Sequence, residues 1–526
     1  MSANEKLEKI LYNLYLKSGV EAPVECAKTA IEYMEGHAAS VPDIQVKVVK
    51  GGTYKIKSYY LENNELMDIR GASTMITLVQ DKAVPELLEA KLGYDSVVYN
   101  GGGNLFALVP ADTDESLGNE LEQLAQGMLV TANSAYYISE PMPISKILGK
   151  EYRDTMAYIE SELEQRKKAK VLFDVSPESA FIGGKLLDKP VDATTLSEEL
   201  NEYCVKCRKR IARYSRKGKK ICGGCLHKVV AGEEQRSQYV SEFNKRTSNN
   251  VTPPLTVSHI DKDDVAVIYA DGNNMGGIIQ TITNISEMID FSAFVKQQMS
   301  ILVYDSLSEC DMLKFEIVAM GGDDLFLIVP AKKSLYLASQ LIKKYEKAFA
   351  DKFPGTDSTL SVGICIAKPS TPIKVVLEAA EDELSKAKKL VRENGGKGSV
   401  SFNVLQSYEG AVSDRGNGTL NPYSVTALDQ ILDFSEKVYA IRDIKTRLQN
   451  LLTAYIESDI KEETELYFSY INAKTDDRKK RIKLPEIDGY NLDGTFYVRN
   501  GNFEIGTSTF IWKDLLRVIK FGKGGV

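Results

Sequence analysis

Residues 317–331 read IVAMGGDDLFLIVPA, and residues 97–111 read VVYNGGGNLFALVPA. Aligned without gaps, the two share a Gly-Gly pair, a Leu-Phe pair and a Val-Pro-Ala ending. Apolar runs on either side of a glycine turn predict a β-hairpin in both places. The turns differ in charge, since Asp323 falls opposite Gly103 and Asp324 opposite Asn104.

The surroundings of the acidic hairpin extend the pattern. DVAVIYADGNNMGGI is an apolar strand ending in a glycine-rich turn at Asp271, and residues 285–308 carry apolar positions at helical spacing. The strands FEIVAM and LFLIVPA of the hairpin are followed by a helix, SLYLASQLIKKYEKAFADKF, and a strand, STLSVGICIAKP. The order β-α-β-β-α-β is the split-βαβ, or ferredoxin-like, arrangement. Around the acid-free hairpin the same order is fainter: a strand over 44–62, helical material over 74–93, the hairpin, and a helix over 115–133. Downstream, AYIESELEQRKKAKVLF parallels EAAEDELSKAKKLVREN, with Leu163 and Lys167 offset like Leu384 and Lys388. An α+β chain with one domain repeated is the expectation. Its parts are an N-terminal helix and degenerate first copy (1–170), a cysteine-bearing linker domain (171–255), an acid-bearing second copy (256–415) and a mainly helical C-terminal domain (416–526).

Composition bounds the function. With 43% hydrophobic and 26% charged residues, the profile is that of a globular protein. The net charge of −7 means that nucleic-acid contact must come from local basic patches. No run of eighteen apolar residues occurs, and the N-terminus lacks a basic segment followed by an apolar one, so a cytoplasmic protein without membrane contact is expected.

Aspartates from neighbouring strand ends repel one another unless cations neutralise them. Asp271, Asp323 and Asp324 are therefore the candidate catalytic and metal-holding residues, with Mg²⁺ or Mn²⁺ as the ion. Two such ions suit nucleotidyl transfer, where they activate a ribose 3′-hydroxyl and stabilise the leaving pyrophosphate. Gly272, Asn273, Asn274, Gly321 and Gly322 would let a nucleotide approach the backbone. The helix over 373–393 puts Leu377, Ala380, Leu384, Ala387 and Val391 on one packed face, leaving Lys388, with Lys397 of the GGKG segment, as cations for a triphosphate. An Asp-Asp pair that only solvates a turn is the bland alternative.

The cysteines Cys204, Cys207, Cys222 and Cys225 form C-x2-C-x14-C-x2-C, the spacing of a four-thiolate structural Zn²⁺ site. His227 is expected to lie outside that shell. Between the pairs, Arg208, Lys209, Arg210, Arg213, Arg216, Lys217, Lys219 and Lys220 form a basic run that either meets RNA phosphates or is a solvated face.

ADGNNMGG, GGDDLF and LSVGICIAKP followed by AEDELSKAKK resemble the catalytic palm of the large, polymerase-like subunit of type III CRISPR effector complexes, which is related to GGDEF nucleotidyl cyclases. The resemblance implies two palms, the first degenerate, with a zinc segment between them and a helical C-terminal domain. It also implies conversion of ATP to cyclic oligoadenylates within a complex holding guide RNA and target RNA, with other subunits contacting the C-terminal domain. Two departures stand out. Asn273 replaces a usual second acid, and no His-Asp pair of an HD nuclease is seen, the histidines being His37, His227 and His259, so DNase activity is not expected. Alternatives are a free-standing cyclic-nucleotide synthase of the same palm family, a GTP-using cyclase and a scaffold subunit without turnover.

Overall fold

The structure, a computed structural model, describes residues 3–63, 65–101, 104–169, 185–186, 189–190, 192–197, 201–235, 238–394, 397–405, 421–439, 497–499, 502–504, 518, 521 and 522. Two compact units divide the chain, and neither is one continuous stretch. The first gathers Met1–Glu242, Met275–Ser300 and Val318–Asp323, and the second gathers Phe243–Asn274, Ile301–Ile317 and Asp324–Val526.

The chain opens with α1 (Ala3–Lys17), whose Leu7, Ile10, Leu11 and Leu14 form a buried i, i+3, i+4, i+7 stripe. The helix α2 (Pro23–Met34) has its proline in the first turn, where no amide partner is needed. Then come β1 (Gln45–Tyr54), α3 (Ile56–Tyr60), α4 (Leu66–Leu78), a π-helical turn (Val79–Ala83) and α5 (Val84–Leu92). The hairpin β2 (Val97–Gly101) and β3 (Asn104–Pro110), α6 (Ser116–Leu129), β4 (Asn133–Ile138) and β5 (Met142–Pro143) complete the sheet. Its order is β2-β3-β1-β4, with β1 antiparallel to both β3 and β4 and with β5 paired to the start of β1. The short α7 (Ser145–Leu148) leads to α8 (Tyr152–Lys168), which packs on β4.

Two boundaries differ from the sequence reading. The strand expected to reach residue 62 ends at Tyr54, because Lys55 adopts a left-handed φ of 54° and α3 begins. The helix expected from residue 74 starts at Leu66. Residues 68–76 of α4 are buried on every side, polar ones included, so no apolar period marks the start.

The cysteine-bearing segment contributes β6 (Lys185–Leu186), β7 (Lys189–Pro190), β8 (Thr194–Thr195), β9 (Tyr214–Arg216), β10 (Lys219–Ile221), α9 (Gly223–Gln235) and α10 (Gln238–Thr247). Strands β10, β9 and β8 form one small sheet. Helix α9 meets α4 backbone to backbone. A Cβ on Gly71 would stand 1.7 Å from the Lys228 carbonyl oxygen, and one on Gly232 would stand 2.1 Å from that of Met67. Only glycine permits this approach, which joins the cysteine segment to the helix that follows β1.

A second sheet repeats the strand order of the first. After α11 (Val257–Ile260) come β11 (Val265–Asn273), α12 (Met275–Thr281), α13 (Ile285–Glu309), the hairpin β12 (Glu316–Gly321) and β13 (Asp324–Pro330), α14 (Ser334–Lys352) and β14 (Thr359–Ala367). The order β12-β13-β11-β14 matches β2-β3-β1-β4 strand for strand. Both sheets thus carry the expected β-α-β-β-α-β order, and the fold is α+β. Beyond the repeat, α15 (Ile373–Asn394) is followed by β15 (Ser399–Val404), parallel to β14, and by β16 (Tyr423–Ser424), which makes the sheet mixed. All nine residues of β14 are buried. A Cβ on Gly363 would lie 2.2 Å from the Ala380 carbonyl oxygen, so α15 rests directly on the strand backbone and Lys388 is held over the sheet.

The expected C-terminal helical region begins with the helix Val425–Tyr439. Most of residues 440–526, including the basic run 478–483, lie outside the described residues. Among the described residues no helix is long and apolar enough to cross a membrane.

Candidate functional site

Strands β11 and β13 place Ala270 opposite Leu325, so the next pair outward on this register is Asp271 and Asp324. Facing residues of an antiparallel pair share one face with Cβ atoms about 5 Å apart. Two carboxylates there repel and attract a cation. Asp271 already has one, because the Lys388 ammonium from α15 lies 2.5 Å from its Oδ2, with the two side chains 27% and 20% exposed. Such a half-open pair is worth about 0–1 kcal/mol, little enough for a divalent ion to replace it. The turn holds Gly321, Gly322 and Asp323. Gly322 takes a φ of 62° and a Cβ on Gly321 would meet nothing within 4 Å, so the approach to the backbone is open. Those three residues are counted with the first unit, whereas Asp271, Gly272, Asn273, Asn274, Asp324, Lys388 and Lys397 belong to the second.

Asn273 faces β14. Its Nδ2 donates to Thr359 Oγ1 and to Ser361 Oγ, each at 2.9 Å, and the Ser358 hydroxyl donates to its carbonyl oxygen at 3.3 Å. Ser361 lies 3.4 Å from Ser399, whose hydroxyl donates to the Ala387 carbonyl oxygen at 2.7 Å. A buried file of hydroxyls therefore holds the amide and ties the strand end to α15. Asn274, next in line, turns the chain away with a φ of 61°. Lys397 is exposed, and its neighbour Gly398 donates its N–H to Glu346 Oε1 at 2.6 Å. Burial pushes the Glu346 carboxyl up, against that hydrogen bond and the Lys397 charge.

The cysteines come together as a group. Cys204, Cys207, Cys222 and Cys225 are all buried, and their sulfurs lie within 4.8 Å of one another, the one such group of potential metal ligands among the described residues. Each pair sits in the same turn: the Arg208 N–H donates to the Cys204 carbonyl and the Leu226 N–H to that of Cys222, both at 2.9 Å. Cys207 and Cys222 are 3.8 Å apart at sulfur. Four sulfurs about 2.3 Å from a tetrahedral zinc ion are about 3.8 Å from each other, so the donor set and spacing fit Zn²⁺. His227 stands outside the group, its Nδ1 donating to the Met128 carbonyl at 2.7 Å.

A charged network surrounds these sulfurs. Arg210 Nε donates to Cys222 Sγ at 3.3 Å, and Asn63 Nδ2 donates to Cys225 Sγ at 3.3 Å. The Arg210 guanidinium also pairs with Glu62, which accepts from the fully buried Lys228 at 2.7 Å. Lys228 lies 3.9 Å above the Tyr59 ring. Burial raises the Glu62 carboxyl, but the hydrogen bonds and charges of Arg210 and Lys228 outweigh it and hold the group down to about 2. Burial lowers Lys228, with Glu62 opposing. Arg210 is thus a structural residue rather than a member of a free basic run. Arg216 and Lys217 pair with Glu233, and Lys220 pairs with Glu202. No spacing rule could identify Glu62, Asn63, Thr359 or Ser361, because each gains its role from a strand or helix distant in sequence.

Fold and site define an α+β protein with two sheets of the same strand order and a four-cysteine group. Residues 264–400 match the family model described as Cas10/Cmr2, second palm domain. Among solved structures, Csm1 in T. onnurineus has a TM-score of 0.54 at 13% identity over 93% of this chain and 71% of that one. A Csm1–Csm4 cassette in complex with cA4 has 0.54 at 14%, over 96% and 72% of the two chains. A Csm1–Csm4 cassette in complex with AMPPNP has 0.56 at 14%, over 94% and 73%. At these identities the likeness is one of fold. No curated protein matches the sequence.

Proposed function

We propose that the chain is the large subunit of a type III CRISPR effector complex and a metal-dependent nucleotidyltransferase that converts ATP into cyclic oligoadenylates. The observation that carries this reading is the register of Asp271 beside Asp324 at the end of a Cas10/Cmr2 second palm, next to an open glycine turn. The complexes of similarly folded Csm1–Csm4 cassettes with cA4 and AMPPNP support the substrate and product class, and those cassettes support a partner subunit.

Asp271, Asp323 and Asp324 would hold Mg²⁺ or Mn²⁺, which when bound supplies activation of a 3′-hydroxyl and neutralises the pyrophosphate leaving group. Lys388 pairs with Asp271, and with that carboxylate held by a divalent ion its ammonium would be available to a polyphosphate oxygen. Gly321 and Gly322 admit the nucleotide to the hairpin backbone, as do Gly272 and Asn274 at the end of β11. Asn273 positions the strand end rather than supplying charge. Cys204, Cys207, Cys222 and Cys225 would hold a structural Zn²⁺ with no open position for chemistry.

The test incubates the purified chain, alone and in its effector complex with guide and target RNA, with ATP and Mn²⁺, and identifies products by mass spectrometry. Cyclic oligoadenylates that vanish in Asp323→Ala/Asp324→Ala are expected. The same products from the double variant, or linear and cyclic products absent under every condition, would overturn the reading.

A further inference from the structure

Both cysteine pairs are tied to one short stretch that lies far from them in sequence. Glu62, Asn63 and Glu65 fall between α3 and α4, and Asp68 stands in the first turn of α4. On the first pair, Lys206, between Cys204 and Cys207, reaches Glu65 and Asp68. On the second, Asn63 Nδ2 donates to Cys225 Sγ and Arg210 Nε donates to Cys222 Sγ, each at 3.3 Å. Glu62 holds the Arg210 guanidinium, a further nitrogen of which lies 3.9 Å from Cys225 Sγ. Lys228, three residues beyond Cys225, donates to the same carboxylate and to the Tyr59 carbonyl at 3.0 Å. The stretch thus reaches both halves of the sulfur group.

Ion pairing alone does not explain Asn63. Its Nδ2 also donates to Asp68 Oδ2 at 2.9 Å, while its Oδ1 is buried and has no hydrogen-bond partner among the described residues. An acceptor left unpaired in the interior is costly, and the opposite orientation of the amide would set Oδ1 against a carboxylate and a sulfur. Asn63 is therefore fixed with its N–H groups aimed at two acceptors that carry negative charge, the carboxylate and a metal-bound thiolate. Four thiolates outnumber the charge of a divalent cation, so a buried group of this kind needs donors as well as the ion. Hydrogen bonds to an ionised acceptor are the strong ones, whereas a neutral thiol accepts only weakly.

We propose that Asn63 and Arg210 are positioning residues of the metal site, their N–H groups stabilising the Cys225 and Cys222 thiolates on Zn²⁺ while Asp68 and Glu62 orient them. The cysteine segment then does not hold the ion by itself, because the stretch between α3 and α4 supplies the outer part of the site. This inference rests on the reading of the four cysteines as a zinc site and is independent of the nucleotidyltransferase reading.

The experiment strips the full chain of metal under reducing conditions, then titrates it with Zn²⁺ against a chromophoric chelator and with Co²⁺, whose absorption reports its ligands. The nearly isosteric Asn63→Leu should lose about tenfold in Zn²⁺ affinity, and Arg210→Met between about tenfold and a hundredfold. Arg210→Lys keeps the charge but not the fork that spans Glu62 and Cys222, so its affinity should lie between those of the parent and Arg210→Met. Glu233→Gln, which alters an ion pair with Arg216 and Lys217 in the same segment, should bind as the parent does. With Co²⁺, Asn63→Leu and Arg210→Met should keep the tetrahedral four-sulfur spectrum but shift the sulfur-to-cobalt charge-transfer band to longer wavelength, because a thiolate relieved of an N–H gives up electrons more readily. A merely structural role would leave that band in place. Unchanged affinity in both variants, an equal loss in Glu233→Gln, or an unmoved charge-transfer band would overturn the proposal. A parent chain that takes up neither ion would overturn the zinc reading and this proposal with it, whereas Asp323→Ala/Asp324→Ala should match the parent in Zn²⁺ affinity whether or not the parent turns over ATP.

Discussion

The two sheets share strand order and register, yet four positions set them apart. Gly51 faces Leu105 in the first sheet as Ala270 faces Leu325 in the second, so Gly52 and Asn104 occupy the places of Asp271 and Asp324. Tyr54 stands where Asn273 does, paired with Asn133 as Asn273 is with Thr359, and its hydroxyl donates to the Lys167 carbonyl at 3.0 Å. Lys167 itself pairs with Glu164 on its own helix at 2.6 Å, whereas Lys388 reaches down to the strand-end aspartate. Without a carboxylate on the strand, the lysine turns to its own helix. What distinguishes the two sheets is therefore a few polar atoms on one scaffold: one keeps a charged strand end, and the other keeps a helix shaped to receive the cysteine module.

Exchanging the hairpin residues breaks the comparison most sharply. Asp323→Gly/Asp324→Asn gives the second turn the composition of the first and should abolish nucleotide transfer, by at least about a thousandfold in kcat, if the ions carry most of the stabilisation of the reacting phosphate. Its thermal stability should fall within about 0.5 kcal/mol of the parent, since the tip is a surface turn. Loss of folding in place of loss of turnover would contradict the division between scaffold and chemistry.

On the side of the first sheet, Glu62→Gln removes the carboxylate between Arg210 and buried Lys228 and should cost about 3 kcal/mol in chemical denaturation, because an uncompensated ammonium remains. The pH dependence has a definite sign. Glu62 is held below its ordinary 4.5, at about 2, so its stabilisation is complete above pH 4.5 and disappears as pH falls towards 2. The difference between parent and variant should shrink over that window and stay constant above it.

Lys388→Met probes the ion pair in the second palm. Mn²⁺ binding without nucleotide, followed by electron paramagnetic resonance, should tighten about threefold to fivefold as the competing ammonium disappears, a change of about 1 kcal/mol. Affinity for a non-hydrolysable ATP analogue should weaken in the same protein. Weaker Mn²⁺ binding would show that Lys388 and the metal do not share Asp271. The smallest effect is expected from Asn273→Asp, since the hydroxyls of Thr359 and Ser361 can rotate to donate to a carboxylate. It should leave stability within about 1 kcal/mol and raise Mn²⁺ affinity, and a large destabilisation would mean that the amide N–H bonds cannot be replaced.

Much of this architecture was legible in the sequence because it is written in local patterns. Glycine turns between apolar runs marked both hairpins, and the paired C-x2-C spacings marked the sulfur cluster. Less was legible where burial erased the pattern. The start of α4 lies in a stretch enclosed on all sides, α12 is obscured by the two glycines of Met275–Thr281, β15 is recruited by the edge of β14, and the two-residue β16 by the edge of β15.

From the chain alone come the repeated strand order, the acid difference between its copies and the four clustered cysteines, since each depends on residues close in sequence and on fixed strand or turn periodicities. Only the folded molecule decides that Lys388 closes on Asp271, that hydroxyls hold Asn273, and that Arg210 serves the cysteines while Arg208 and Lys209 face water. A charge's partner depends on which distant backbone segments are packed against it, and that packing is set by tertiary contacts such as the close crossings at Gly71 and Gly363.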